Sequence, residues 1–328
     1  MTVGLSDFDN KKTLGKLRIL VYYSENNGRI KFMLRQIFRR GFSILFLASV
    51  LIGSILNVFG QRDERPKCGA NDFECQISEY GKRIEANPKD ADAYFRRGNG
   101  YFNSGRLDLA VADYSRAIEL NPQNYKSFLN RGNVNSHLGK FAQAIPDYNK
   151  AIALNADFPG SYNNRGNTYR RMNNYEQAVA DFTKTIELNP NNAIAYNNRG
   201  NCYEFLGSDD LAMADYTKAI AVNPRYAEAF YNRGNAFRNK HAYEQAIADY
   251  TKAIEINGAY ANPYYNRGRT YAAEFKFELA LPDLTKTIEL NPGCANNYLD
   301  RAAVYDEIKE KTKAEADRAK YRELTGKP

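Results

Sequence analysis

The chain has 328 residues, 43% of them apolar and 26% charged, with 25 Tyr and 18 Phe, which excludes a wholly disordered chain. The formal net charge is +8, but residues 1–60 hold nine Lys/Arg against three Asp/Glu, so they contribute +6 and the rest of the chain only +2. A phosphate-binding face needs its basic residues on the folded part, so nucleic acid is not an expected partner. The two histidines and four cysteines form no closely spaced ligand set, so no metal site and no cofactor are expected.

Residues 1–40 are a basic N-terminal tail. Leu17–Tyr23 and Ile30–Met33 flank Asn27-Gly28, which leaves a small hairpin and a disordered tail as alternative readings. Residues 41–60, GFSILFLASVLIGSILNVFG, carry no charge. As a helix they would span about 30 Å, the thickness of a bilayer's hydrocarbon core. Arg35, Arg39 and Arg40 precede the run and the mixed-sign QRDERPK follows it, so the tail is expected in the cytoplasm and the repeats outside. A cleaved signal peptide starting at Met33 is the competing reading, and would leave a secreted or periplasmic soluble protein. Residues 61–90 read as a linker and a lone capping helix over 71–86, with Phe73, Ile77, Tyr80 and Ile84 on one face. Cys68 and Cys75 are a candidate disulfide. An oxidising compartment favours it, and helical structure from Phe73 onward opposes it by holding the two thiols apart.

From Ala91 the chain repeats every 34 residues, giving units 91–124, 125–158, 159–192, 193–226, 227–260, 261–294 and 295–328. Within a unit, position 4 is always aromatic and position 20 always alanine. Position 8 is Gly98, Gly132, Gly166, Gly200, Gly234, Gly268 and then Ala302. Position 11 is aromatic except for Asn135, and position 24 is Tyr114, Tyr148, Phe182, Tyr216, Tyr250, Leu284 and Arg318. Positions 4, 8 and 11 share one stripe of a first helix, and 20 and 24 one stripe of a second. Small residues let the helices approach while the rings fill the space beside them. Asn-Pro pairs near position 32 end the second helix. Pro146 and Pro282 are expected in the first turns of second helices, where a missing N–H costs little.

This period and these residue types resemble the tetratricopeptide repeat over residues 91–325. The resemblance implies an all-α fold, a right-handed superhelical solenoid of helix-turn-helix units following the transmembrane helix, with the last unit as C-terminal cap.

Positions 6 and 9 face away from the packing stripe, on the side that lines the concave groove in this family. Position 6 carries Asn130, Asn164, Asn198, Asn232 and Asn266, and position 9 carries Asn99, Asn133, Asn167, Asn201 and Asn235. An amide offers both a donor and an acceptor, so such rows can grip an extended peptide backbone. They resemble the asparagine ladder in the repeat domain of O-GlcNAc transferases, without that family's catalytic domain. The alternative is that the N-R-G-N motif was copied by duplication, with amides solvated or bonded to neighbouring helices. Tyr231 and Tyr265 stand beside the rows at position 5. A carboxylate clamp for chaperone tails would need Lys at position 5, which never occurs.

Position 7 is Arg97, Arg131, Arg165, Arg199, Arg233, Arg267 and Arg301, where the family usually has leucine. Position 23 is Asp113, Asp147, Asp181, Asp215, Asp249, Asp283 and Asp317. Structural ion pairs within or between units are expected. Cys202 and Cys294 are expected to be buried and reduced. No nucleophile elbow, phosphate loop or Cys/His pair is present, so the chain does not read as an enzyme. The sequence points to a membrane-anchored scaffold for a protein or peptide partner. A self-associating envelope assembly protein, hence a homo-oligomer, is the alternative. An import receptor with cytosolic repeats would put the basic tail on the wrong side.

Overall fold

The computed structural model of the chain describes residues 25–26, 29–30, 68–69 and 71–326. The chain divides into two units, Met1–Arg65 and Pro66–Pro328. In the first, β1 (Glu25–Asn26) pairs antiparallel with β2 (Arg29–Ile30), Glu25 opposite Ile30. This matches the hairpin reading around Asn27-Gly28, with strands displaced from those expected. The segment 41–60 lies outside the described residues, and among the described residues no helix is long and apolar enough to cross a membrane.

The second unit is all-helical among the described residues. Helix α1 (Phe73–Ala86) is followed by seven pairs. These are α2 and α3 (Ala91–Asn103, Leu107–Leu120), α4 and α5 (Tyr125–His137, Phe141–Leu154), α6 and α7 (Pro159–Arg171, Tyr175–Leu188), and α8 and α9 (Ala193–Phe205, Asp209–Val222). Then come α10 and α11 (Ala227–Asn239, Tyr243–Ile256), α12 and α13 (Ala261–Ala273, Phe277–Leu290), and α14 and α15 (Ala295–Glu307, Lys311–Thr325).

Two local devices punctuate the array. Between the helices of a pair, position 15 takes a positive φ in every unit. Gly105, Gly139 and Gly207 adopt it without strain, whereas Asn173, His241, Phe275 and Lys309 carry side chains into it. At the end of the second helix an asparagine leaves helical geometry and its side chain accepts the N–H two residues on, as Asn121 does from Gln123 and Asn223 from Arg225. A proline follows in most units and cannot continue the helix. Pro146 and Pro282 correct the expectation made for them. Each is the sixth residue of α5 or α13, beyond the four free N–H groups of a first turn, and the helix nevertheless continues through it.

The core runs along the interface between the two helices of each pair. The position-20 alanines are at most 1% exposed, as are the rings of Tyr114, Tyr148, Phe182, Tyr216 and Tyr250. A Cβ placed on the facing glycine would lie 2.7 Å from a Tyr216 ring carbon at Gly200, and equally close to Tyr250 at Gly234. Glycine at position 8 is therefore the space that the position-24 ring occupies. Where Arg318 replaces the ring, Ala302 stands in the glycine's place and is buried.

Each helix packs on its chain neighbours, and from the second unit onward the first helices of successive units also touch, while second helices make no comparable contact. The stack therefore closes up on the first-helix side, which makes that side concave. Helix α1 buries Tyr80 and Ile84 against α2 and begins at the Asp72 cap, which accepts from the Cys75 N–H. At the other end α15 is mostly charged and stops at Gly326, whose left-handed backbone ends the helix.

Candidate functional site

The polar residues of the first helices fall into two systems. The first is the ion pair at positions 7 and 23, formed within each unit. Arg97 Nε and a terminal nitrogen donate to both oxygens of Asp113, each at 2.8 Å. The same fork joins Arg131 to Asp147, Arg165 to Asp181, Arg199 to Asp215, Arg233 to Asp249, Arg267 to Asp283 and Arg301 to Asp317. The aspartates are buried and the arginines mostly so. Hydrogen bonding to the carboxylate raises the guanidinium, as at Arg165 and Arg267, while burial pushes the Asp181 carboxyl up against the lowering pull of Arg165.

The remaining guanidinium nitrogen reaches back to position 25 of the preceding unit. Arg131 meets Ser115 at 2.9 Å, Arg199 meets Thr183 at 2.9 Å and Arg267 meets Thr251 at 2.8 Å. The rings at positions 4 and 11 bracket the same arginine, as Tyr196 and Tyr203 do Arg199, both centroids 5.8 Å away. Those rings thus clamp a cation as well as filling space.

The second system is the asparagine rows. Asparagine 9 of one unit accepts from asparagine 6 of the next. Asn130 donates to Asn99 at 2.9 Å, Asn164 to Asn133 at 2.9 Å, Asn198 to Asn167 at 3.2 Å, Asn232 to Asn201 at 3.0 Å and Asn266 to Asn235 at 2.7 Å. The same oxygen also accepts a tyrosine hydroxyl from position 24 of its own unit. Tyr114 donates to Asn99 and Tyr148 to Asn133, Tyr216 to Asn201 and Tyr250 to Asn235. Burial pushes these phenols up, so they remain protonated donors. In the third unit Phe182 has no hydroxyl to give, and there the amide–amide bond is the longest of the five.

The amides are therefore bonded to neighbouring helices, as the duplication reading allowed, but only by half. Among the described residues the –NH₂ groups of Asn99, Asn133, Asn167, Asn201 and Asn235 have no partner. The carbonyl oxygens of Asn130, Asn198 and Asn232 likewise have none, whereas Asn163 donates to that of Asn164 and Arg238 to that of Asn266. All but Asn266 are half-buried on the concave side.

Tyr231 lies beside the rows. Its hydroxyl accepts from Asn266 at 3.3 Å and its ring tilts against Tyr250 and Tyr260. Tyr265 is engaged differently, its hydroxyl donating to Asp300 at 2.5 Å. The sequence reading missed the position-5 asparagines. Asn197 is 1% exposed and accepts from Asn232 while its own –NH₂ group has no partner, and the buried Asn163 oxygen is also unpaired.

Cys68 and Cys75 are joined as a disulfide, with Cα atoms 5.7 Å apart. Cys75 sits in the first turn of α1 and Cys68 before it, so the helix does not separate them. Cys202 is buried and its thiol is pushed up to about 11 by burial. Cys294 is half-buried at the start of α14, more open than expected. Among the described residues no group of three or more His, Cys, Asp or Glu is placed to hold a metal ion.

Models of the tetratricopeptide repeat match residues 91–124, 114–145, 132–173, 159–192, 193–226, 227–260 and 261–294, an unbroken run from 91 to 294. Among solved structures the chain is similar to a tetratricopeptide repeat protein from Parabacteroides merdae, at 22% identity over 76% of this chain and 94% of that one, TM-score 0.56. It is similar to Pseudomonas aeruginosa pilF at 19% identity over 68% of this chain and 99% of that one, TM-score 0.57. Both likenesses concern the fold. YrrB, described as a TPR protein with an unusual peptide-binding site, matches at 26% identity over 55% of this chain and 92% of that one, TM-score 0.46. No curated protein matches the chain.

Proposed function

The chain belongs to the tetratricopeptide-repeat family, a family of protein-interaction scaffolds, and from that premise we propose that it holds an extended peptide segment of a partner protein along its concave asparagine rows. No catalytic domain is evident, and the role is non-enzymatic. The observation that carries the reading is the unused half of the ladder. Each junction spends one donor and one acceptor on itself and leaves an –NH₂ group, and at three junctions also a C=O, open on the same side. A peptide backbone needs an acceptor for its N–H and a donor for its C=O, so the open halves are complementary to it whatever its side chains.

Asn201→Asp with Asn235→Asp tests this without breaking the fold. Each variant keeps an oxygen that accepts from tyrosine and from the next asparagine, and replaces the open donor by a second carboxylate oxygen, which also adds a negative charge facing the peptide's C=O. Melting should stay near wild type, while affinity for peptides selected from a random library falls about fivefold per site, the worth of one ordinary hydrogen bond. Unchanged affinity would overturn the reading.

The right-handed superhelical course follows from the family. The chain is anchored by a transmembrane helix at 41–60, with residues 1–40 in the cytoplasm and the repeats outside. The uninterrupted apolar run and the basic residues before it support this, and so does the Cys68–Cys75 disulfide, which persists in oxidising compartments. Protease added to intact spheroplasts should digest the repeats, and protection there sinks the topology.

A further inference from the structure

We propose that the junction between the sixth and seventh units is a specificity pocket for one basic side chain, arginine before lysine, of the bound segment; this rests on the peptide reading above. At this junction all three members of the ladder change together. Leu284 replaces the position-24 tyrosine, Arg269 the position-9 asparagine and Asp300 the position-6 asparagine. Beside the leucine that stands where other units have a ring lies a surface-open cavity of about 230 Å³. Buried Leu284 and Val304 form its apolar floor, and the rings of Phe275 and Phe277, set edge to face with centroids 6.2 Å apart, form a wall.

The rim is acidic. One Asp300 oxygen accepts from Tyr265, and the other has no partner among the described residues; neither has the Glu307 carboxylate. The opposing charge is Arg269, whose guanidinium lies 5.5 Å over the Tyr265 ring and bonds its hydroxyl at 3.4 Å. Two carboxylates against one guanidinium leave the rim one charge negative. An apolar shaft beneath a negative rim matches an alkyl stem that ends in a cation. A guanidinium would also meet aromatic faces at the wall, which an ammonium uses less well.

Phe275 adds an independent observation. It sits at φ +59°, where a bulky residue is strained, and its ring is 79% exposed. Glycine takes this position in three units and Asn173, His241 and Lys309 take it in three others, so the backbone alone does not single out this junction; what does is that the residue here is a ring that lines the cavity.

The test uses the full-length chain in detergent micelles and three probes, the N-acetyl methylamides of arginine, norleucine and glutamate, read through the methyl resonances of Val304 and Ala303. Arginine should shift them and saturate at a concentration about tenfold or more below norleucine, the discrimination of one charge-assisted contact. Asp300→Asn with Glu307→Gln should abolish that preference while methyls of the third unit stay unmoved. Phe275→Gly should weaken arginine binding while leaving the melting temperature unchanged or higher, an outcome that a purely structural Phe275 would not give. Norleucine binding as tightly as arginine, a preference for glutamate, or no shift at any concentration would each overturn the pocket. These probes do not need the asparagine rows, so the pocket can fail while library peptides still bind, and can stand while they do not.

Discussion

In four units the position-9 asparagine oxygen is shared between a hydroxyl from its own unit and an amide from the next, so one side chain sets both the tilt within a pair and the spacing between pairs. Tyr250→Phe removes one of the two donors to Asn235 and should cost about 1 kcal/mol in chemical denaturation, whereas Phe182→Tyr should gain a comparable amount by supplying the donor that Asn167 lacks. The ion pairs carry more. Asp249→Asn leaves the Arg233 guanidinium, only 20% exposed, without its carboxylate, and the loss should be about 3 kcal/mol, partly recovered when Arg233→Leu is added. These pairs were legible because both residues recur in every unit on matching flanks of the two helices. The tyrosine–asparagine bond was not. Phe182 and the four tyrosines read alike as core rings, and whether a hydroxyl reaches a side chain fifteen residues earlier depends on the angle between helices, which no spacing encodes.

At the level of elements, a glycine and a ring define each pair. Gly234→Ala gains helix propensity of up to about 1 kcal/mol but drives a methyl into the Tyr250 ring, at an overpacking cost of about 1–3 kcal/mol. Net destabilisation is expected by thermal melting. The same change at Gly268, which faces the branched Leu284, should cost less, since the nearest side-chain atom there is 3.1 Å away. The capping helix, expected over 71–86, spans Phe73–Ala86, and the Asn-Pro pairs of four units mark where their second helices end. The tolerance of the prolines in α5 and α13 was not legible, because it arises from packing that holds the helix together around a missing N–H.

Across the whole array, stability is a sum of unit and junction terms, so the ends are the natural places to open. The Cys68–Cys75 bridge closes a short loop onto α1, and by chain entropy such a loop is worth about 2 kcal/mol. Reduction should therefore speed hydrogen exchange in α1 while leaving the amides of α6 to α11 protected, and faster exchange throughout the array would show that its units are more tightly coupled than this account allows. The seven-unit architecture was evident in the 34-residue period, but the special character of the sixth junction was not, because the replacements at Arg269, Leu284 and Asp300 look like ordinary drift until the fold brings them together.

The two tethers at each junction have a mechanical consequence. An asparagine bond on one flank of the first helix and an arginine bond on the other resist bending in opposite senses, so a junction holding both behaves as a stiff spring under an end-to-end load. The sixth junction keeps the arginine tether from Arg301 to Thr285, but Asp300 has exchanged the amide tether for a bond to Tyr265. That bond also crosses the junction, so an end-to-end load there is carried by a phenol and a carboxylate in place of two amides, and whatever fills the cavity between those two units will bear on that contact.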